Sequence, residues 1–130
     1  MKRTVLTIGL LILIFAKSFS CVCNIKPEFK THEDLAEYNF ISLVRILKLD
    51  SVESRKDSRM PLHQIEFEII KLFKGESVNN ILVEGGNRTI MKNTWTSCDL
   101  DENVGEEWVI FAYIDKQTNK LLTHSCTRTF

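Results

Sequence analysis

Four cysteines constrain this chain more than any other feature of its 130-residue sequence. Cys21 and Cys23 are separated by one residue, and Cys98 and Cys126 lie far along the chain, so a bridge between the two groups closes a long loop. An even number of cysteines in a small secreted domain favours disulfides. A structural zinc site is the alternative, but such sites usually contain C-x2-C pairs, which are missing here. Four cysteines allow three pairings, and spacing alone does not choose among them.

Export of the chain is predicted by its first 20 residues. Two basic residues are followed by an almost continuous apolar run, Val5 to Ala16, and the small residues Ser18 and Ser20 stand before the first cysteine. This pattern is typical of a secretory signal peptide, and the run is shorter than the roughly 20 residues of a membrane-spanning helix. We therefore expect residues 1–20 to be removed and residues 21–130 to form one secreted domain with no membrane span.

The predicted mature chain has no excess of basic residues. Loss of residues 1–20 reduces the 17 basic residues to 14, against 17 acidic ones, which gives a net charge of −3. Binding to nucleic acid is therefore not expected, because it requires positive charge to meet the phosphates. We expect a monomer.

Hydrophobic patterning predicts an all-β fold with five strands. The predicted strands are Phe40 to Leu49, His63 to Phe73, Asn80 to Glu84, Glu107 to Asp115 and Lys120 to Cys126. The phase of alternation slips at Ile69-Ile70, which indicates a bulge. Thr31, with Asp34 three residues later, predicts a helix of one or two turns before the first strand. Five strands with burial on both faces favour a small closed barrel, because closure removes exposed edges.

Motifs of enzyme active sites are missing from the sequence. His32, His63 and His124 are scattered and form no H-E-x-x-H motif, so we expect each to be an ordinary surface or strand residue. There is no G-x-S-x-G, and Gly85-Gly86 is not followed by the Lys and Ser/Thr of a phosphate-binding loop. The C-x-C pair lacks the two intervening residues of a redox dithiol. We therefore expect no enzymatic activity.

The sequence is compatible with two covalent modifications, a glycan on Asn87 and a lipid on Cys21. Asn87-Arg88-Thr89 fits the N-glycosylation sequon, which matters only if the source cell glycosylates. A lipid on Cys21 is the second, because bacterial lipoproteins also carry a cysteine at the cleavage point. Phe19 fits a lipobox badly, so a lipid-anchored envelope protein is kept only as an alternative.

Cys21 would be the first residue of the mature protein. A half-cystine there would fix the α-amine to the folded domain, whereas chain ends are normally loose. The residue can simply form a structural disulfide near the chain end, or its amine and neighbouring carbonyl can act as a ligand pair for a metal. Spacing alone favours the structural disulfide.

Several segments together resemble a known family, the tissue inhibitors of metalloproteinases. These segments are the opening Cys21-Val22-Cys23, the strand Phe40–Leu49, Ile65 to Ile69 with Lys71, Phe73, Lys74 and Gly75, then Cys98, Val104-Gly105, Glu107 to Ala112, and Cys126. They span nearly all of the mature residues and are similar to the family's N-terminal domain. The ending, residues 124–129, is more similar to minimal bacterial members than to the animal inhibitors.

The resemblance implies an OB-like five-stranded Greek-key barrel of the netrin type, with the pairings Cys21–Cys98 and Cys23–Cys126. It also implies that the amine and carbonyl of Cys21 chelate the catalytic zinc of a target zinc metalloendopeptidase, while Val22 enters a substrate pocket. No cofactor of the chain's own is implied. The implied protease-binding residues are Cys21, Val22, Cys23, Asn24, Thr96, Ser97 and Cys98.

The sequence also departs from the family pattern. The third disulfide of the animal N-terminal domain and the whole C-terminal domain are absent, and Val22 stands where the family usually has Thr or Ser. The third residue after Cys21 is Asn24, and the proline of the family's opening segment comes later, at Pro27. A non-inhibitory extracellular binding module on the same fold is therefore the alternative function.

The implied disulfides give the first prediction. Peptide mapping of the secreted, non-reduced protein should find Cys21–Cys98 and Cys23–Cys126. Each bridge closes a long loop, for which the chain-entropy estimate is about 4–5 kcal/mol before any strain. A Cys21–Cys23 bridge is not expected, because so short a ring strains the bond geometry. Free thiols or a Cys21–Cys23 peptide would contradict the pairing.

Overall fold

The computed structural model describes residues 32–53, 60–96, 98–127 and 129. Within these residues the chain forms a closed barrel of five strands, which confirms the predicted all-β class. The strands are β1 (Phe40–Ser51), β2 (Leu62–Lys74), β3 (Asn80–Glu84), β4 (Glu107–Ile114) and β5 (Leu121–His124). The predicted short helix is a single 3-10 turn, His32–Leu35. The predicted signal peptide and the cap at Thr31 lie outside the described residues.

The order of the strands around the barrel is β1-β2-β3-β5-β4, which is the arrangement of an OB-like barrel. β1 pairs antiparallel with both β2 and β4, so it lies between them. β2 pairs with β3, and β4 pairs with β5, again antiparallel. The barrel closes through a parallel pairing of β3 with β5. Closure leaves no fully open edge of the kind that invites aggregation.

Most strand limits agree with the predicted ones, and the largest difference is at β5. This strand ends at His124 rather than at Cys126, because the chain turns there: the amide of Thr127 donates to the carbonyl of His124 at 2.9 Å. β4 ends at Ile114, where Asp115 begins the turn to β5. The predicted turn at residues 117–119 lies within this connection.

The predicted bulge in β2 is confirmed. β1 and β2 pair Val44 with Ile69 and Leu43 with Lys71, so the ladder skips Ile70. Two further register shifts occur along the same pair of strands. Bulges increase the local twist, which lets long strands bend around a small barrel.

The main core lies inside the barrel and takes residues from all the longer strands. Its buried members are Phe40, Val44, Ile65, Phe67, Ile81, Val83, Ile110 and Ala112. The rings of Phe40 and Phe67 lie with their centroids 6.0 Å apart. Glu68, one residue beyond Phe67, is exposed, as the two-residue period of a strand requires.

A second apolar cluster covers part of the outside of the barrel. Ile41 and Phe111, which alternate with interior residues, pack against Tyr38 just after the 3-10 turn. The rings of Tyr38 and Phe111 meet edge to face, 5.3 Å between centroids. The Nζ of Lys74 donates to the carbonyl of Leu35 at 2.6 Å and ties the turn to the end of β2. β1 and β4 are therefore buried on both faces, because Tyr38 packs on the outer face of both strands.

The alternation along β2 gives the second prediction. Phe67→Ala should lower the free energy of unfolding by about 3–5 kcal/mol, because it removes a buried aromatic ring from the core. Glu66→Ala should change it by no more than about 0.5 kcal/mol, as for a surface substitution. Urea denaturation of both variants checks this. Equal losses would mean that the two faces of β2 are assigned wrongly.

Candidate functional site

The β3–β4 connection, residues 85–106, carries the part of the predicted protease-binding surface that the structure describes. Thr96 is exposed and Cys98 is half-buried on this connection. Cys21, Val22, Cys23, Asn24 and Ser97 lie outside the described residues. Their proximity to Thr96 and Cys98 therefore stays a prediction.

Thr96 is held by a compact turn with Asp99. The Oδ2 atom of Asp99 accepts from the amide of Thr96 at 2.7 Å and from its hydroxyl at 3.1 Å. The amide of Asp99 donates back to the carbonyl of Thr96 at 3.2 Å, and the amide of Cys98 donates to the Thr96 hydroxyl at 3.3 Å. Hydrogen bonds to a carboxylate are stronger than those between neutral groups. The Thr96–Asp99 turn can therefore present Thr96 to solvent in one backbone conformation.

Gly85 and Gly86, at the end of β3, make room for this turn. A Cβ on Gly85 would lie 2.6 Å from the Oδ1 atom of Asp99, and the φ angle of Gly85 is +131°, which side chains rarely adopt. A Cβ on Gly86 would lie 2.7 Å from the carbonyl oxygen of Thr94 and 2.8 Å from the Cα of Trp95. The sequence indicated only a strand break at this glycine pair; the structure shows that it is the surface on which the turn packs.

A buried histidine and a buried glutamate lie beneath the glycine pair. His63 has no exposed surface and Glu102 is 2 % exposed. The Nδ1 atom of His63 lies 3.0 Å from the carbonyl oxygen of Gly85, and its Nε2 atom contacts Oε1 of Glu102. A carbonyl only accepts hydrogen bonds, so Nδ1 carries a proton. The Nε2 contact gives the second ring nitrogen a polar partner as well, so both nitrogens of the buried imidazole are paired.

The Glu102 contact was not apparent from the sequence. His63 was expected to be an ordinary surface or strand residue, and it does lie in β2, but at an interior position. It is in phase with Ile65 and Phe67 along the strand, which is the signal that could have identified it as inward-facing. Its partner is 39 residues away, and no local pattern indicates a pairing at that distance. The Oε2 atom of Glu102 has no hydrogen-bond partner among the described residues.

The asparagine of the sequon is buried in this same region. The Nδ2 atom of Asn87 donates to the carbonyl of Glu102 at 2.7 Å, and its Oδ1 atom accepts from the amide of Thr89 at 2.9 Å. Asn87 has no exposed surface. Because the nitrogen that would carry a glycan is buried and hydrogen-bonded, glycosylation could take place only before this part of the chain folds.

The exposed Arg88 and the half-buried ring of Trp95 form a platform next to the Thr96–Asp99 turn. The guanidinium carbon of Arg88 lies 4.0 Å from the centre of the Trp95 ring, within the range of a cation–π contact. Arg88 also forms an ion pair with Asp101, whose Oδ2 lies 3.3 Å from Nη2. The Arg88 side chain remains 64 % exposed, so it can still donate to a binding partner.

Cys98 and Cys126 each belong to a disulfide. The pairings implied by the family resemblance use Cys21 and Cys23, which the structure does not describe, so these pairings stay a prediction. The amide of Cys126 donates to Nδ1 of His124 at 3.0 Å, and the His124 ring packs edge to face on Tyr113. Burial lowers the pKa of His124, and the nearby carboxylate of Glu84 opposes this effect.

Features of two other functional classes are absent from the part of the chain that the structure describes. In that part, no group of three or more His, Cys, Asp or Glu side chains is placed to hold a metal ion. No helix there is long and apolar enough to cross a membrane.

Comparison with protein-family models, curated proteins and solved structures found no match for this chain. The resemblance to the tissue inhibitors of metalloproteinases therefore remains a prediction from the sequence. The barrel and the geometry of the β3–β4 connection are the structural basis for the functional proposal below.

The environment of His124 gives the third prediction. A lowered pKa means that the unfolded chain binds the proton more readily than the folded chain does. Above about pH 6.5, the ordinary histidine pKa, His124 is neutral in both states and does not change the free energy of unfolding. As the pH falls below that value, the unfolded chain takes up the proton first and the free energy of unfolding should decrease. Urea denaturation should show that the free energy of unfolding decreases less from pH 7 to pH 5 in His124→Gln than in the unmodified protein. Equal losses would contradict the prediction, and equal slopes between pH 7 and pH 8 are the control.

Proposed function

We propose that this chain is a secreted inhibitor of zinc metalloendopeptidases. The observation that carries the proposal is the Thr96–Asp99 turn, which holds Thr96 exposed beside the half-cystine Cys98 on a closed OB-like barrel. A rigid, exposed segment next to a disulfide is suited to contact a protease, because little conformational freedom is lost on binding. This is the segment that the family resemblance assigns to the protease-binding surface.

The proposed inhibitory group is the N-terminal amine of the mature protein, at Cys21. A catalytic zinc site has three protein ligands and an open position that water occupies. The neutral amine nitrogen and the carbonyl oxygen of Cys21 can both reach toward such a position and displace that water. An α-amine has a pKa near about 8, so a neutral fraction exists at pH 7, and metal binding favours loss of the proton. The Cys21–Cys98 bridge would join this amine to the Thr96–Asp99 turn.

The second candidate function is a non-inhibitory extracellular binding module. The observation in its favour is the Arg88–Trp95 platform, because Trp and Arg are the residues most often found at the energetic centres of protein interfaces. Such a surface can bind a partner whether or not the amine of Cys21 is free. A lipid-anchored form belongs to this second candidate, since lipidation blocks the amine. The intact mass of the secreted protein distinguishes a free, an extended and a lipidated N-terminus.

The chelation proposal gives the fourth prediction. Adding one Ala before Cys21 should abolish inhibition, because the amine becomes an amide that no longer binds zinc and the added residue collides with the metal. The thermal melting temperature should stay nearly unchanged, because the barrel core is untouched. The measurement is a titration of one susceptible zinc endopeptidase with the mature and the Ala-extended proteins.

Val22→Gly is the matched control for this titration. It removes the side chain expected in the substrate pocket but keeps the amine, so it should weaken inhibition less than the Ala extension does. Inhibition by the extended protein equal to that of the mature protein would refute chelation. If none of the three proteins inhibits any zinc endopeptidase in a panel, the binding-module function becomes the better one.

A further inference from the structure

A continuous series of contacts leads from the barrel interior to the exposed turn. It begins at Glu102, whose carboxyl group contacts Nε2 of His63. The other ring nitrogen of His63 lies 3.0 Å from the carbonyl oxygen of Gly85. Gly85 in turn is so close to Asp99 that a Cβ on the glycine would lie 2.6 Å from Oδ1. The second carboxylate oxygen of Asp99 accepts the hydrogen bonds of Thr96.

We propose that the buried His63–Glu102 pair is the positioning element of the exposed Thr96–Asp99 turn. The pair fixes the carbonyl of Gly85, and the glycine pair fixes Asp99 in the position from which it holds Thr96. His63 and Glu102 are positioning residues because neither is exposed to a partner. As a role in inhibition, this inference rests on the proposed function. As a coupling between interior and turn, it can be tested without any protease.

The composition of the site supports a positioning role. Burying a histidine and a carboxyl group costs free energy, and a well-packed apolar pair at the same place is often as stable or more stable. Stability of the core therefore does not by itself require these two residues. An apolar side chain in place of His63 could not donate to the carbonyl of Gly85, so the polar pair adds a fixed direction for that peptide group.

The structure contains a matched internal control for the turn. At the β4–β5 connection, the amide and hydroxyl of Thr118 both donate to Oδ2 of Asp115, at 2.9 and 2.8 Å. The same atom types pair as in Thr96 and Asp99, although here the aspartate precedes the threonine by three residues instead of following it. The connection follows β4 at the end of the barrel opposite the β3–β4 connection, whereas the hydrogen bonds of His63 and Glu102 to Gly85 and Asn87 lie at the end where β3 finishes. A variant that only destabilises the whole fold should affect the amide resonances of Thr96 and Thr118 to the same extent.

The experiment is two-dimensional ¹H–¹⁵N NMR of the secreted protein, following the amide resonances of Thr96 and Thr118. Asp99→Ala removes the acceptor and defines the resonance position of Thr96 in an unsupported turn. Glu102→Ala should move Thr96 more than halfway to that position and leave Thr118 in place. Glu102→Gln should leave both near their native positions, because its amide can donate to Nε2 while Nδ1 still donates to Gly85.

Three results would overturn the positioning role. They are an unmoved Thr96 in folded Glu102→Ala, equal movement of Thr96 and Thr118, and a Glu102→Gln spectrum that resembles that of Glu102→Ala. If Glu102→Ala does not fold, His63→Gln takes its place, since a glutamine cannot reach both Gly85 and Glu102. The same movement of Thr96 alone is expected there, and an unmoved Thr96 again overturns the proposal.

A susceptible protease extends the test to inhibition. The inhibition constants of Glu102→Ala and Asp99→Ala should each rise at least about 10-fold, as expected when support behind a binding group is lost. Glu102→Gln should keep the native value. If the unmodified protein inhibits no protease, the proposed function fails, and the NMR result still decides whether the pair positions the turn.

Discussion

Closure of the barrel through the parallel β3–β5 pairing is the constraint on which the rest of this structure depends. β3 is paired with β2 on one side and with β5 on the other, so its last residues cannot shift without breaking two ladders. Gly85 and Gly86 follow directly, and the chain then needs the long connection 85–106 to reach β4. The exposed turn on that connection is therefore built on a fixed strand end, which is how functional loops are commonly carried by a rigid scaffold.

The fold could be predicted from the sequence to a large extent, because its signals are local. Alternation of apolar and charged residues identified β2, and the phase slip at Ile69-Ile70 identified its bulge. The five strands were predicted from hydrophobic patterning, and the closed barrel from burial on both of their faces. The parallel closure of β3 on β5 has no local signal, because it joins two strands that are far apart in the sequence. The short β5 was predicted too long, since the turn after His124 uses ordinary polar residues.

The candidate site could be predicted only in part. Thr96 and Cys98 were selected by resemblance, and the structure places both on one connection. The support beneath them was missed, because the residues involved come from distant segments: His63 in β2, Gly85 after β3, and Glu102 before β4. One clue was present in the strand pattern, since His63 shares the phase of Ile65 and Phe67. An inward-facing histidine needs a buried partner, and that partner could not be named without the fold.

The two Thr–Asp turns show why support from the interior matters at one place and not at the other. Thr118 lies in a tight hairpin connection, where the amide of Asp115 also donates to the carbonyl of Lys120 at 2.9 Å, so the flanking strands fix that turn. Thr96 lies within a connection of about twenty residues that no strand pairing holds at that point. The carboxylate–threonine hydrogen bonds there need a second anchor, and contact with the glycine pair above His63 provides it. A buried polar pair, costly in an ordinary core, is consistent with that requirement.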